Sequence, residues 1–560
     1  MIDIPIELQL YILNYLDLKD ILVCKQTCKH FSTLIEHDPP LRYLVQLGFN
    51  GLIDSNDLPL SKFNVPDRLR ILNDYQDAWE HLRFTRHRAV KNEGEDLWSL
   101  QGNVISQITL DHSSIVFTQL PSEIRGVAHS AWQLTSESLL LSGLNITGPI
   151  RFTADPIQDL LATIKVDAVL GDTSMAAIHL NSLRTGSIHP LASKARLSYR
   201  ANLTIETANM YICSEHLALT ISIRDLGRSQ YKLCIWEWKT GELVLDLTEP
   251  VLAFSFLTEH HVMLMPPKRR SGAELLVFDL RSIPSPNTCL DELKTCSFLF
   301  PSFKPDIRFD SADIQSNPIC ALTPAFPFHQ DPKHRISTIN LYSAIKFKKQ
   351  DSYMFVVPHE TLMSHVSASS DIPERCHYVH WFLWGTQGSR GFRLPINHNS
   401  SFSGFRSSYG MRFVDISRPR PNQESIHIFF ADFNQRPIRK ALAFEGLWER
   451  ELLDDRARKL RTVVDASVIE VSEKSPFSVQ VTTSLPYRYG TIPLTPEDWA
   501  RPWFVYAQMV EDGIVISRYS PDLADLNAAV VSVDASASSP YPNVNQPPQS
   551  RGPEFEAWTI

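Results

Sequence analysis

No run of eighteen apolar residues occurs in this 560-residue chain, so no membrane-spanning helix is expected. The first residues lack a basic segment followed by an apolar core, so no secretory leader is expected either. Cysteine is scarce and irregularly spaced, eight in all. That argues against a disulfide framework and for reduced thiols in the cytosol or nucleus. Positive charge is not in excess. The formal net charge of −8 argues against a general polyanion-binding surface, and no nucleic-acid partner is expected. Glycine is outnumbered by proline, 21 to 37, a ratio that suits many strand-ending loops.

The signatures of common catalytic and phosphate-binding sites are missing as well. There is no Gly-x-x-x-x-Gly-Lys-Ser/Thr loop and no Gly-x-Ser-x-Gly elbow. Gly385, Gly388 and Gly391 have the wrong spacing for a dinucleotide loop and read as a strand connection. Cys376-His377-x-x-His380 lacks a second pair at zinc-site spacing, and it reads as side chains of a strand running through Tyr378-Val379-His380-Trp381-Phe382. His260-His261 reads as a loop. Lys268-Arg269-Arg270 and Lys346-Phe347-Lys348-Lys349 read as solvated basic segments. No catalytic residue, metal or cofactor is expected, and the chain is not expected to be an enzyme.

What is present begins almost at the first methionine. Pro5 suits the first turn of a helix, where its missing N–H is not needed. Leu8, Ile12 and Leu16 follow at i, i+4 and i+8 with Leu13 beside them, forming one apolar stripe. Asp17 is placed to cap a second helix, with Asp20 in its first turn. On that helix Ile21, Cys24, Cys28, Phe31 and Ile35 recur at spacings of three and four, flanked by Leu22 and Leu34. Cys24 and Cys28 then share an apolar helix face. About thirty residues cannot bury both stripes against each other and still close a core, so something else must cover them.

Ile4-Pro5-x-Glu7-Leu8, Ile12-Leu13-x-x-Leu16, Asp20-Ile21-Leu22 and Cys28-Lys29-x-Phe31-x-x-Leu34-Ile35 together resemble an F-box. The departures are Ile4 where leucine is usual and Cys28 where valine or serine is commoner. The resemblance covers residues 2–47. It implies docking onto the Skp-type adaptor of a cullin ubiquitin ligase through Ile4, Pro5, Leu8, Ile12, Leu13, Leu16, Leu18, Ile21, Leu22, Cys28 and Phe31. The implied function is that of a non-catalytic substrate receptor whose protein target is unknown. Alternatives are a propeller scaffold that delivers no substrate, or a propeller hydrolase or ligand-binding protein.

Pro39-Pro40 should break the helix, with a short third one from Leu41 to Val45. A linker helix is expected from Val65 to about residue 84, carrying Leu69, Leu72, Trp79 and Leu82. From about residue 100 the texture changes to short Val-, Ile-, Leu-, Tyr- and Phe-rich runs. They include Val104–Leu110, Ser114–Phe117, Leu160–Ile164, Leu275–Leu280 and Ile426–Phe430. Ile178–Gly186 aligns with Leu233–Gly241, each an alternating strand ending in a Thr-Gly turn, and Leu276–Arg281 keeps the strand without that turn. The separations of 55 and 42 residues bracket the period of propeller blades. The second copy, Ile235–Gly241, also resembles the end of a degenerate WD-type repeat, and the layout resembles fungal F-box proteins of unassigned substrate.

The expected fold is thus α+β and multidomain. An F-box of three small helices (1–50) and a helical linker (51–100) precede a large all-β domain, a β-propeller of about seven blades (101–525). Glu445–Arg461 reads as a charged helical insertion. A Ser-, Pro-, Asn- and Gln-rich tail (526–560) reads as disordered.

Overall fold

The computed structural model describes residues 4–55, 63–87, 94–109, 111–141, 150–168, 174–201, 205, 207–225, 228–267, 272–305, 307–317, 327–345, 348–349, 352–369, 376–394, 407–417, 426–445, 460–494, 504–519 and 554–560.

Helix α1 (Ile6–Leu13) starts just after Pro5, and α2 (Leu18–Thr27) is capped by Asp17, whose Oδ1 accepts from the Asp20 amide at 2.8 Å. The second helix does not continue to Ile35. Cys28 is fully extended (φ −159°, ψ 160°), and α3 (Lys29–His37) leaves in a new direction. Cys28 is therefore exposed at a helix junction and shares no face with Cys24. The two prolines open a helix rather than break one. Asp38 accepts from the Leu41 amide at 3.1 Å, and α4 (Pro39–Phe49) begins at Pro39, where an amide hydrogen would go unused. Four helices, not three, precede the linker. In the linker α5 (Val65–Glu80) is capped by Asn64 and stops four residues short of expectation.

Seven antiparallel-based sheets of four or five strands follow, which makes a seven-bladed propeller. First strands of neighbouring sheets lie side by side. Gly94–Gln101 contacts Ile150–Asp155, Ala253–Phe256 contacts Arg308–Ser316, and Ser408–Tyr409 contacts Phe504–Val510. Middle strands such as Leu160–Ala168 bury consecutive side chains because a blade packs against a neighbour on each face. The two aligned Thr-Gly turns close the third strands of successive blades, Ser174–Ser182 and Arg228–Glu237. Gly186 and Gly241 both sit in the left-handed region (φ +73° and +72°), which explains glycine there. The third aligned strand, Glu274–Asp279, is the third strand of the next blade.

The seventh sheet combines strands from both sides of the propeller sequence. Its order is Thr85–His87, Glu554–Thr559, Gly513–Tyr519, Phe504–Val510. Two boundaries are corrected by this. The propeller begins within the expected linker, and the tail ends in an ordered strand whose Phe555, Trp558 and Ile560 are buried. Polar composition upstream masked a short strand, Glu-Phe-Glu-Ala-Trp-Thr, which is buried from Phe555 through Thr559. Residues 526–553 lie outside the described residues.

Two further readings change. The strand at Cys376 ends at Val379, and Trp381–Gly388 is a helix that carries Gly385 and Gly388. Glycine at 385 leaves room for the Trp381 ring, which an added Cβ would meet at 2.2 Å. At the expected insertion Glu445–Arg461, a helix Gln435–Glu445 ends where the insertion was to begin, Arg461 already begins a strand, and 446–459 lie outside the described residues.

Candidate functional site

Leu13, Ile21, Ile35 and Leu41 close a small core among α1–α4, with Leu16, Phe31, Leu34 and Leu44 packed at its edge. The extra helix α4 and the turn at Cys28 supply the cover that two stripes alone lacked. Leu13 (3% exposed) and Ile21 (1%) point into this core, away from any partner. Leu8 (53%) and Ile12 (48%) point outward, as does Leu22. Pro5 and Cys28 are exposed, while Ile4, Leu16, Leu18 and Phe31 are half-buried. The eleven residues implied by the resemblance therefore divide between a face and the core behind it.

Four further apolar side chains of the same segment, Ile6, Tyr11, Tyr15 and Val23, are also exposed. The tyrosine rings meet edge to face at 5.0 Å, with their hydroxyls 2.8 Å apart. The signal was available, since Leu8, Tyr11, Ile12 and Tyr15 recur at three- and four-residue spacing. Exposed apolar residues this concentrated are unusual on a surface without a binding role.

The helices are fastened to the propeller through polar and aromatic contacts. The strand Leu52–Asp54 pairs antiparallel with Phe328–Gln330, which lies in the chain between the first two strands of the fifth blade. The Tyr43 hydroxyl donates to Pro327 O (2.9 Å), and Arg68 binds Asp54. On α5, Trp79 stacks on Phe430 of blade six at 5.6 Å. The Tyr75 hydroxyl donates to Glu511 O, and the Arg412 guanidinium lies 4.2 Å from the Trp79 ring centre. Arg436 donates to Gly48 O, and Asn434 to Phe49 O.

A buried charge cluster lies beside this seam. Arg125 binds Asp512 (2.7 Å) and Glu511 (2.8 Å), and Asn103 donates to Asp512. Burial opposes ionisation of Glu511, but Arg125 and His329 outweigh it and hold the carboxyl at about 2. For Asp512 burial wins, and its carboxyl is pushed up. The cluster joins blade one to blade seven and buries its charges with their partners, as buried ions require.

Ser337 Oγ lies 2.8 Å from His359 Nε2, the contact of an activated serine. Both residues are buried, and burial together with Arg335 holds His359 far below its usual range. The pair sits inside the packing of the fifth blade, where the same imidazole nitrogen also meets Ser316 Oγ. Among the described residues no group of three or more His, Cys, Asp or Glu is placed to hold a metal ion. No described helix is long and apolar enough to cross a membrane.

The chain thus sets exposed apolar helices on a seven-bladed propeller. Residues 1–43 match the family model of the F-box domain, and the chain carries an F-box followed by a seven-bladed β-propeller. No curated protein matches the chain. Similar solved structures include the WD40 domain of Toxoplasma gondii coronin (10% identity, TM-score 0.29, covering 62% of this chain and 72% of that one). An uncharacterised protein of Listeria monocytogenes EGD-e, lmo1340, is 8% identical (TM-score 0.24, covering 63% and 92%). An oligogalacturonate lyase in complex with manganese is 11% identical (TM-score 0.26, covering 62% and 81%).

Proposed function

We propose that this chain is the substrate-recognition subunit of an SCF-type cullin ubiquitin ligase, acting in the cytosol or nucleus. A Skp-type adaptor covers the face of Leu8, Tyr11, Ile12, Tyr15, Leu22 and Val23, and cullin joins through the adaptor. The propeller holds a protein target whose identity is open. The chain performs no chemistry and raises the target's effective concentration near the conjugating enzyme. The observation that carries the reading is the exposed apolar face on a segment that matches the F-box model.

Leu8 is half exposed, so Leu8→Asp leaves the helical core intact while placing a carboxylate in an apolar interface. An unpaired buried charge costs several kcal/mol, and each 1.4 kcal/mol is tenfold in affinity. Co-purification of a Skp-type adaptor with the wild-type chain should fall more than about a hundredfold in the variant. A folded wild type that retains no adaptor would overturn the proposal.

A further inference from the structure

In blade three the strands His216–Asp225 and Arg228–Glu237 stay paired out to Asp225 and Arg228, past the start of the first strand, where Ala208 faces Ile221. Tyr231 pins this overhang. Its amide donates to Val251 O (2.9 Å) and its carbonyl accepts from the Val251 amide (2.8 Å), just ahead of blade four's first strand. From there the strand Arg228–Glu237 reaches the first strand of blade five, Arg308–Ser316. First strands surround the central opening of a propeller, so the hairpin leans over that opening.

On this strand of blade five Asp313 is half-buried. Its Oδ2 accepts from Gln315 Nε2 (2.7 Å) and from Asn340 Nδ2 (3.3 Å). The Gln315 amide is held in that orientation because its Oε1 accepts from the Ser407 amide (3.5 Å) and hydroxyl (3.2 Å). Two donors fill the lone-pair positions of Oδ2 and leave Oδ1 free. Oδ1 keeps exposed surface, unlike the sealed Thr338 Oγ1 of the same blade. Among the described residues no cation offsets this carboxylate, and burial pushes its carboxyl up. Close by, the Tyr231 hydroxyl is half-buried and feels the charge of Asp313. It makes no hydrogen bond among the described residues and is not sealed either. The hairpin and the strand thus bring together one uncompensated negative charge and two open oxygens.

We propose that Asp313 and Tyr231 form a binding site for a primary ammonium group, borne either by a lysine side chain of a polypeptide or by a small free amine. The ammonium donates to Asp313 Oδ1 and to the Tyr231 hydroxyl oxygen. A guanidinium fits less well, because its fork engages both oxygens of a carboxylate and Oδ2 is already filled. A lysine of the target is the occupant that the receptor role calls for, and that identification rests on the function proposed above. The site itself is separate from the adaptor face and stands whether or not an adaptor docks.

The test is titration calorimetry on the full chain at neutral pH with n-butylammonium chloride, N-acetyl-Gly-Lys-Gly-amide and N-acetyl-Gly-Arg-Gly-amide. Sodium chloride at equal ionic strength is the blank. Both ammonium probes should give saturable heats, and the arginine peptide should bind at least about tenfold more weakly than the lysine peptide. If the lysine peptide half-saturates at least about tenfold below butylammonium, the source is a polypeptide; otherwise it is a small amine. Asp313→Asn keeps the shape, removes the charge and should raise the half-saturating concentration about thirtyfold. Tyr231→Phe removes one acceptor and should raise it about fivefold, and it decides the matter if the first variant does not fold. Both variants should co-purify with as much adaptor as the wild type, which separates failure of this site from failure of the docking role. No saturable heat from either ammonium probe in the wild type, equal affinity for the arginine peptide, or unchanged affinity in the folded variants would overturn the assignment.

Discussion

Truncation after residue 553 removes seven residues that composition alone would mark as dispensable, and it should destroy the closed propeller. The strand Glu554–Thr559 lies between Gly513–Tyr519 and Thr85–His87, so its loss opens one strand edge and leaves the other strand unpaired. It also deletes the buried Phe555, Trp558 and Ile560. Core truncations to alanine cost about 3–5 kcal/mol for Phe or Trp and about 2–5 kcal/mol for Ile. The three side chains thus account for roughly 8–15 kcal/mol, as much as the whole stability of a typical domain. Trp558 adds a contact with the Arg86 guanidinium, 4.3 Å from its ring centre, across to the strand contributed from the N-terminal side. The assay is thermal unfolding with limited proteolysis. The truncated chain should show no cooperative transition near that of the full chain, and it should be cut around Thr85–His87. Trp558→Ala should be folded but less stable by about 3–5 kcal/mol. A truncated chain with an unchanged midpoint would refute the closure and return the last residues to a dispensable tail.

Other perturbations probe the remaining joints. Ile21→Asp, unlike Leu8→Asp, puts a carboxylate into the closed helical core, and circular dichroism should show loss of α1–α4 while the propeller stays folded. Glu511 ionises near 2 when folded against 4.5 ordinarily, so its stabilising contribution is present above about pH 4.5 and is lost as pH falls toward 2. That contribution is roughly 3 kcal/mol. Asp512 has the opposite sign, favouring the folded state when protonated and losing that contribution as pH rises. Urea unfolding between pH 5 and 3 should therefore fall less steeply in Glu511→Gln than in wild type, and equal slopes would count against the cluster. Gly513→Ala would bring a Cβ to 2.1 Å from Trp558 O, so the last two strands must separate. An unfolding midpoint matching wild type would contradict the register there.

The legible parts of the fold were those with a local signal. Leu8, Ile12, Leu13 and Ile21 announced helices by spacing alone, and the Thr-Gly turns at Gly186 and Gly241 announced a blade repeat because both need the same left-handed backbone. Which stripe residues face outward was not legible. Leu13 and Leu8 look alike in sequence, and only the arrival of α4 decides that Leu13 is covered. The break at Cys28 was hidden because the apolar spacing runs through it. The closing strand was hidden because one of its two partners lies more than four hundred residues away at Thr85–His87. Short-range periodicity carries no information about such a pairing. A polar cleft beside Trp79 assembles residues from Asn50 to Arg488, so it exists only once the arm is docked.

The arm itself bears on the proposed role. A receptor that only held its target could hang from a flexible tether, at a cost in effective concentration that grows with tether length. Here Tyr43, Tyr75 and Trp79 lock α4 and α5 onto the fifth, sixth and seventh blades through Pro327, Phe430 and Glu511. A continuous core runs from Leu47 on α4 to Trp558 in the closing strand. The same blade that closes the propeller therefore also seats the arm. Opening that blade should disturb the orientation of the exposed helical face as well as the stability of the platform.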